Sequence, residues 1–142
     1  MLGSGVFDLF HISHLKYIQH VHAHGDVVVI MVNGDERVRS IKSSARPIIP
    51  AVERAGIIEA LRYVDYVFIV PNAVEPGPQG DPTVKELFSV IKPDVFVTAN
   101  PSWRQLPHFD KTKLVIVPRH ADARFGSTTD IIEHLAGRGP AP

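Results

Sequence analysis

The chain has 142 residues, enough for one domain with a real core, and its 44% hydrophobic and 21% charged content is ordinary for a soluble globular protein. Lys plus Arg and Asp plus Glu balance at 15 each, so no global field draws nucleic acid or an anionic membrane, and any anion site must be local. There is no cysteine, which excludes disulfides, thiolate catalysis and Cys-based zinc sites. No apolar run approaches the roughly 18 residues of a membrane span, and no basic-then-apolar leader pattern is present, so a cytoplasmic location is expected.

In chain order, Leu2 to Val6 reads as a short strand and Ile12 to His24 as a helix stopped by Gly25. Val27 to Val32 is an uninterrupted β-branched run of the kind buried parallel strands show. Asp35 to Ile41 is a short helix, and Val52 to Arg62 is another, introduced by Pro50 and carrying Ala55, Ile58 and Leu61 on one face. Val64 to Val70 is a strand, and Asn72 to Pro82, rich in Pro and Gly, is a loop. Thr83 to Ile91 is a helix, Asp94 to Thr98 and Lys113 to Val117 are strands, and Thr128 to Leu135 is the last helix. Strands alternating with helices specify a parallel α/β sheet over residues 1–136. Residues 137–142 form a linker-like tail, expected to lead to a further domain in a longer parent protein.

The segment Gly5-Val-Phe-Asp-Leu-Phe-His-Ile-Ser-His-Leu15 carries the strongest functional signal. His11 and His14 are three apart, hence on one helix face, and they open the first helix. A helix start offers unpaired N–H groups and the positive end of the dipole, so two imidazoles there make a phosphate site. In open parallel sheets ligands bind beyond the carboxyl ends of the strands, where the strand order reverses, and this segment directly follows the first strand. Ser127-Thr128-Thr129 opens the last helix and supplies hydroxyls and further free N–H groups, so the two helix starts can face one phosphate chain. His20, His22 and His24 read as a solvated helix end, suited to the negative end of the dipole, and no metal site is expected there. A dinucleotide-binding oxidoreductase is poorly supported, because no Gly-x-Gly-x-x-Gly follows the first strand.

At these residues the chain resembles the nucleotidyltransferases with a His-x-Gly-His motif, and within them the small cytidylyltransferases. Gly5-Val-Phe7-Asp8-Leu-Phe-His11-Ile-Ser-His14 matches the family's strand-to-helix pattern. Pro50-Ala-Val-Glu53-Arg54 is similar to its proline-to-Glu-x-Arg segment, Arg62-Tyr63-Val64-Asp65 to a segment near a dimer interface in relatives, and Gly126-Ser127-Thr128-Thr129 to its last helix start. The resemblance implies a Rossmann-like, doubly wound, parallel five-stranded sheet in three α/β/α layers, and a homodimer. It implies attack of an acceptor phosphate or phosphonate oxygen on the α-phosphate of CTP, with Mg²⁺ carried on the triphosphate oxygens and pyrophosphate leaving. Such a reaction asks mainly for positioning and neutralised charge.

By the same resemblance His11, His14, Lys42 and Arg119 are the catalytic residues. Gly5, Val6, Phe7, Asp8, Ser13, Arg54, Asn100, Trp103, Gly126, Ser127, Thr128 and Thr129 would contact the nucleotide. Arg54 and Arg119 would grip anionic groups, with Arg124 a competitor for the latter role, and Ser127 and Thr128 would cap the β- and γ-phosphates. Asp8 itself reads as a residue that shapes the turn before the helix rather than as a base. The chain departs from the pattern at Ser13, which replaces the glycine between the histidines, where crowding without loss of activity is expected. It departs again at Thr98-Ala-Asn-Pro-Ser-Trp103, which lacks the acidic pair of the glycerol-phosphate relatives and leaves the base and acceptor open. Val32 to Lys42 with Arg46-Pro-Ile is also similar to the heptose-phosphate adenylyltransferases, which makes ATP and a sugar phosphate the alternative, followed by a non-catalytic nucleotide-binding module.

Overall fold

The computed structural model describes residues 1–70, 82–105, 111–118 and 126–138. Its elements run β1 (Leu2–Gly5), α1 (Ile12–His22), β2 (Val29–Asn33), α2 (Asp35–Ile41), α3 (Ala51–Glu59), β3 (Tyr66–Val70), α4 (Pro82–Ile91), β4 (Val95–Thr98), a 3₁₀ turn (Pro101–Gln105), β5 (Lys113–Ile116) and α5 (Thr128–Leu135). The strands form one five-stranded sheet in the order β3-β2-β1-β4-β5, every pair parallel. The order reverses between β1 and β4, as the doubly wound reading requires.

Period-2 alternation along the strands sorts the core onto the two faces of the sheet. Ile30, Val32 and Val97 pack with Tyr17, Ile18 and Val21 of α1 and Ile58 of α3. Leu2, Val29, Met31 and Phe96, one step along the same strands, pack with Phe88 of α4. These are the three layers expected, with strands hydrophobic on both sides because both sides are covered. Among the described residues no helix is long and apolar enough to cross a membrane.

Several boundaries differ from the sequence reading. Helix α1 ends at His22, and its cap is Ala23 in a right-handed conformation rather than a left-handed Gly25. The chain leaves the helix through two tightened turns, His24 N–H to Val21 O at 3.1 Å and Gly25 N–H to His22 O at 3.3 Å. A Cβ on Gly25 would stand 2.5 Å from the end of the flexible Met1 side chain, which would have to move aside. The glycine in the left-handed region is Gly137, just after α5, at φ 68°. Strand β2 begins at Val29, not Val27, and β3 at Tyr66, not Val64, because Asp65 bridges the two chains ahead of the ladder. Its carboxylate accepts from Val28 N–H at 2.7 Å and its own N–H donates to Val28 O at 3.0 Å. Helix α3 runs from Ala51 to Glu59, so Leu61 lies beyond it, and its buried face is Ala51, Arg54 and Ile58. Of the expected 72–82 loop, Pro82 begins α4 and the rest lies outside the described residues, as do positions 139–142 of the tail.

Candidate active site

The loop from Val6 to Phe10 joins β1 to α1 at the reversal of strand order. Phe7 and Leu9 both hold positive φ, 56° and 45°, which costs a non-glycine residue on the order of 1–3 kcal/mol each and clusters at functional sites. The turn folds the Phe7 ring back under the strand end, so a Cβ on Gly5 would meet it at 2.7 Å. Phe7 is buried and meets the His14 ring edge-on at 5.4 Å between centroids, while Phe10 flanks that ring at 5.6 Å.

His11 is the N-cap of α1, its Nδ1 accepting from Ser13 N–H at 3.3 Å. An accepting Nδ1 places the proton of the neutral ring on Nε2. The His11 and His14 rings lie 3.9 Å apart with 34° between their planes. Nε2 of His11 and Nδ1 of His14 are buried and have no hydrogen-bond partner. Buried polar atoms are almost always satisfied, so two ring nitrogens left without a partner on neighbouring rings are exceptional in this core. Burial pushes the His14 imidazole down to about 3, His11 adds to that shift and Asp8 opposes it. Burial lowers His11 as well, with Asp130 pulling the other way. Burial therefore favours the neutral form of both rings. Ser13 sits buried between them and fits the turn without displacing either histidine from the helix start.

Asp8 is fully buried and ties the site to distant parts of the chain. Its carboxylate accepts from Arg46 Nε at 2.7 Å and from the N–H groups of Ile48 and Ile49, each at 2.9 Å. Burial alone would raise this carboxyl; the two N–H groups and Arg46 outweigh it and hold it below its ordinary range. Its carbonyl accepts from Thr128 Oγ1 at 2.7 Å, which pins the start of α5 beside α1. The two helix starts anticipated from sequence are thus joined by one residue. Ser127 and Asp130 form a reciprocal capping box, Asp130 N–H to Ser127 Oγ at 3.2 Å and Ser127 N–H to Asp130 Oδ2 at 2.8 Å. The hydroxyls of Ser127 and Thr128 are therefore engaged within the protein, next to half-buried Gly126 and exposed Thr129.

Arg54, expected at the phosphates, is 1% exposed and spends its donors on the fold. Nε donates to Ile49 O at 2.8 Å, one terminal nitrogen donates to Val6 O, and the other pairs with Asp35 at 2.7 Å. It braces the loop under the histidines. Lys42 is exposed at the end of α2, on the stretch that Asp8 clasps at Arg46, Ile48 and Ile49. Asn100 and Trp103 follow β4 on the other flank of the crevice. Asn100 N–H donates to Thr98 Oγ1 at 3.1 Å and Asn100 Oδ1 accepts from Ser102 N–H at 3.0 Å, so this residue builds the turn. Trp103 lies edge-on to Phe96 at 4.8 Å, in the core layer of α4 and away from the histidines. Arg119 and Arg124 lie outside the described residues.

Arg46, Asp35 and Asp130 were missed in the sequence reading. Asp130 was legible, because Ser-x-x-Asp at a helix start is a capping-box spacing. Arg46 and Asp35 meet their partners 38 and 19 positions away, and no local pattern encodes that.

A doubly wound parallel sheet whose first helix presents two unsatisfied histidines at the strand-order reversal defines a nucleotidyltransferase-type fold. The sequence matches the profile of the cytidylyltransferase-like family over residues 2–134, and the chain belongs to that family. It is 30% identical over 135 residues to the bifunctional protein HldE of Syntrophotalea carbinolica and 32% identical over 135 residues to that of Geobacter metallireducens. In each case the match covers 95% of this chain, and the chain spans about a quarter (24%) of the relative's length. Among solved structures, a lipopolysaccharide core biosynthesis protein from Thermoplasma volcanium superposes with a TM-score of 0.65 at 21% identity, covering 82% of this chain and 93% of that one. A macrolide-efflux protein from Streptococcus pneumoniae superposes with a TM-score of 0.60 at 16% identity, covering 97% of this chain and 52% of that one. At these identities the superpositions speak for the fold alone.

Proposed function

We propose that the chain transfers a nucleotidyl group from a nucleoside triphosphate to the phosphate or phosphonate oxygen of a small acceptor. The observation that carries this reading is the pair of orphaned ring nitrogens, His11 Nε2 and His14 Nδ1, at a helix start beyond the first strand. The acceptor oxygen forms a bond to the α-phosphorus as the bond from that phosphorus to the pyrophosphate oxygen breaks. Negative charge moves onto the pyrophosphate. His11 Nε2–H donates to the phosphates, and His14, neutral when the site is empty, gains a proton or an anionic partner as charge gathers. The N–H groups at the start of α5 face the same phosphate chain, and Lys42 reaches the triphosphate from its exposed segment. Arg119 contributes from the segment after β5.

Among the described residues no group of three or more His, Cys, Asp or Glu could hold a metal ion. By the family resemblance a magnesium ion would ride on the triphosphate oxygens, where it would supply neutralising charge for the departing pyrophosphate. The chain would work as a homodimer, as the similarity at Arg62-Tyr63-Val64-Asp65 suggests.

The family resemblance names CTP as donor and a phospho-alcohol or hydroxyalkylphosphonate as acceptor. A second reading, ATP with a sugar phosphate, is supported by a specific observation: the similarity to HldE proteins over 95% of the chain. It agrees with the similarity of Val32 to Lys42 to the heptose-phosphate adenylyltransferases. Incubation with each nucleoside triphosphate, Mg²⁺ and a panel of phosphorylated alcohols, phosphonates and sugar phosphates, followed by pyrophosphate release, tests both. CTP-selective turnover supports the first pair and ATP-selective turnover the second. Binding without turnover on every pair leaves a nucleotide-binding module. His14→Ala should cut turnover by a factor of about 100 or more while the protein stays folded; near-normal turnover would remove its assigned role.

A further inference from the structure

Strands β1 and β4 part company before either of them ends. Against β2, β1 is paired as far as Gly5 with Val32, and against β5, β4 is paired as far as Thr98 with Ile116. Between themselves, β1 and β4 pair only at Leu2 with Phe96 and Gly3 with Val97. The last shared rung, Gly3 with Val97, is the one that Ser4 N–H donating to Val97 C=O would close on its outer side. The Tyr17 hydroxyl occupies that position: it accepts from Ser4 N–H at 2.9 Å and donates to Val97 O at 2.7 Å. One side-chain oxygen replaces one backbone hydrogen bond. With a tetrahedral angle at the hydroxyl, the Ser4 nitrogen and the Val97 oxygen stand roughly 4–5 Å apart instead of about 2.9 Å.

The crevice that holds the proposed site opens at this rung. Tyr17 is buried and lies one helical turn beyond His14 on α1. The Phe7 ring touches both, at 5.4 Å from His14 and 6.0 Å from Tyr17. A Cβ on Gly3 would stand 3.1 Å from the Tyr17 hydroxyl, so the strand is bare where the hydroxyl enters it. We propose that Tyr17 is a positioning residue for the transfer reaction. Its hydroxyl wedges β1 from β4, sets the width of the crevice floor, and fixes the height of α1 over the sheet, and with it the two histidine rings. The proposal rests on the nucleotidyl-transfer reading of the site only for its kinetic consequence.

Without the hydroxyl, Ser4 N–H and Val97 C=O are left unpaired in the core. Direct pairing would then draw the strands together by roughly 1.5–2 Å, a displacement large enough to misplace a reacting group. Tyr17→Phe is compared with Tyr66→Phe, a substitution at an exposed position of β3 outside the site, at a temperature where both proteins are folded. Expected for Tyr17→Phe is a kcat reduced about tenfold or more, with KM for the triphosphate changed less than about threefold. In the same protein, the ring ¹H–¹⁵N signals of His11 and His14 should shift while those of His134 do not. Tyr66→Phe should leave all of these unchanged. If Tyr17→Phe has normal kcat and unmoved histidine signals, the wedge has no positioning role. If the parent chain turns over no donor–acceptor pair, the transfer reading fails, and the histidine signals alone decide for or against the wedge. If Tyr17→Phe does not fold, Gly3→Ala, whose new methyl would meet Val21 at 2.9 Å, Ile30 at 3.0 Å and the Tyr17 hydroxyl at 3.1 Å, is measured in its place together with Val21→Ala/Gly3→Ala, which relieves the closest apolar contact and leaves the one with the hydroxyl. A lowered kcat with shifted histidine signals there supports the wedge, and normal kcat with unmoved signals overturns it.

Discussion

Acidification should destabilise this protein through His14, and by an amount the structure allows to be worked out. The ring is packed against Phe7 and Phe10, its Nδ1 has no partner, and burial pushes it from 6.5 in the unfolded chain to about 3 in the folded one. The folded value is the lower one, so below about pH 6.5 the unfolded chain binds the proton that the folded chain refuses. Stability is then complete above that value and falls as pH drops toward 3. For a single such site, going from about pH 7 to about pH 5 costs about 2 kcal/mol, and the ring edge left in solvent trims this to about 1–2 kcal/mol. Asp8 does not interfere in this interval: its carboxyl is held below the ordinary 3.8, so its stabilisation is lost only at lower pH. The assay is urea unfolding of the parent and of His14→Asn at about pH 7, 6 and 5. The parent should lose about 1–2 kcal/mol more than the variant across the interval. An equal loss in both would show that His14 is not held neutral by burial, and that the orphaned nitrogen is not a reserved ligand position.

The remaining predictions concern two cations, Arg54, which is buried, and Lys42, which is exposed. Arg54→Lys should destabilise the fold by about 3 kcal/mol in urea unfolding, because one ammonium cannot serve Val6 O, Ile49 O and Asp35 together. Unchanged stability with a raised KM for the triphosphate would restore Arg54 as a phosphate grip. Lys42→Ala, at an exposed position, should leave the Tm unchanged and lower kcat/KM by about ten- to a hundredfold, the worth of one hydrogen bond from a charged group. Near-normal kcat/KM would remove Lys42 from the reaction.

Much of the architecture was legible without coordinates, for reasons that are local. The β-branched run at Val27 to Val32 and the apolar face of the Val52 to Arg62 segment carry their periods openly, and the order of elements forces a parallel sheet. His11 and His14 were legible because a spacing of three and a strand-to-helix turn are themselves local facts. The same locality explains what was misplaced. Gly25 has the look of a helix stop, yet the helix ends earlier, at His22, with Ala23 as its cap. Trp103 was a candidate for the base side of the site because it follows β4; its ring turned instead to Phe96, since the face on which a residue leaves a strand is a property of packing.

By itself, then, the sequence determined that this is a parallel α/β domain with a histidine pair at a helix start, because hydrophobic period, turn chemistry and short spacings act between neighbours. Only the tertiary structure decided that Arg54 is a strut, that Asp8 clasps Arg46, Ile48 and Ile49 and locks α5 to α1, and that Tyr17 stands between β1 and β4. Those roles are set by partners up to 120 positions away in the chain. A buried charge or hydroxyl must find such partners wherever the fold brings them, because leaving it unpaired in the core costs more than any local preference supplies.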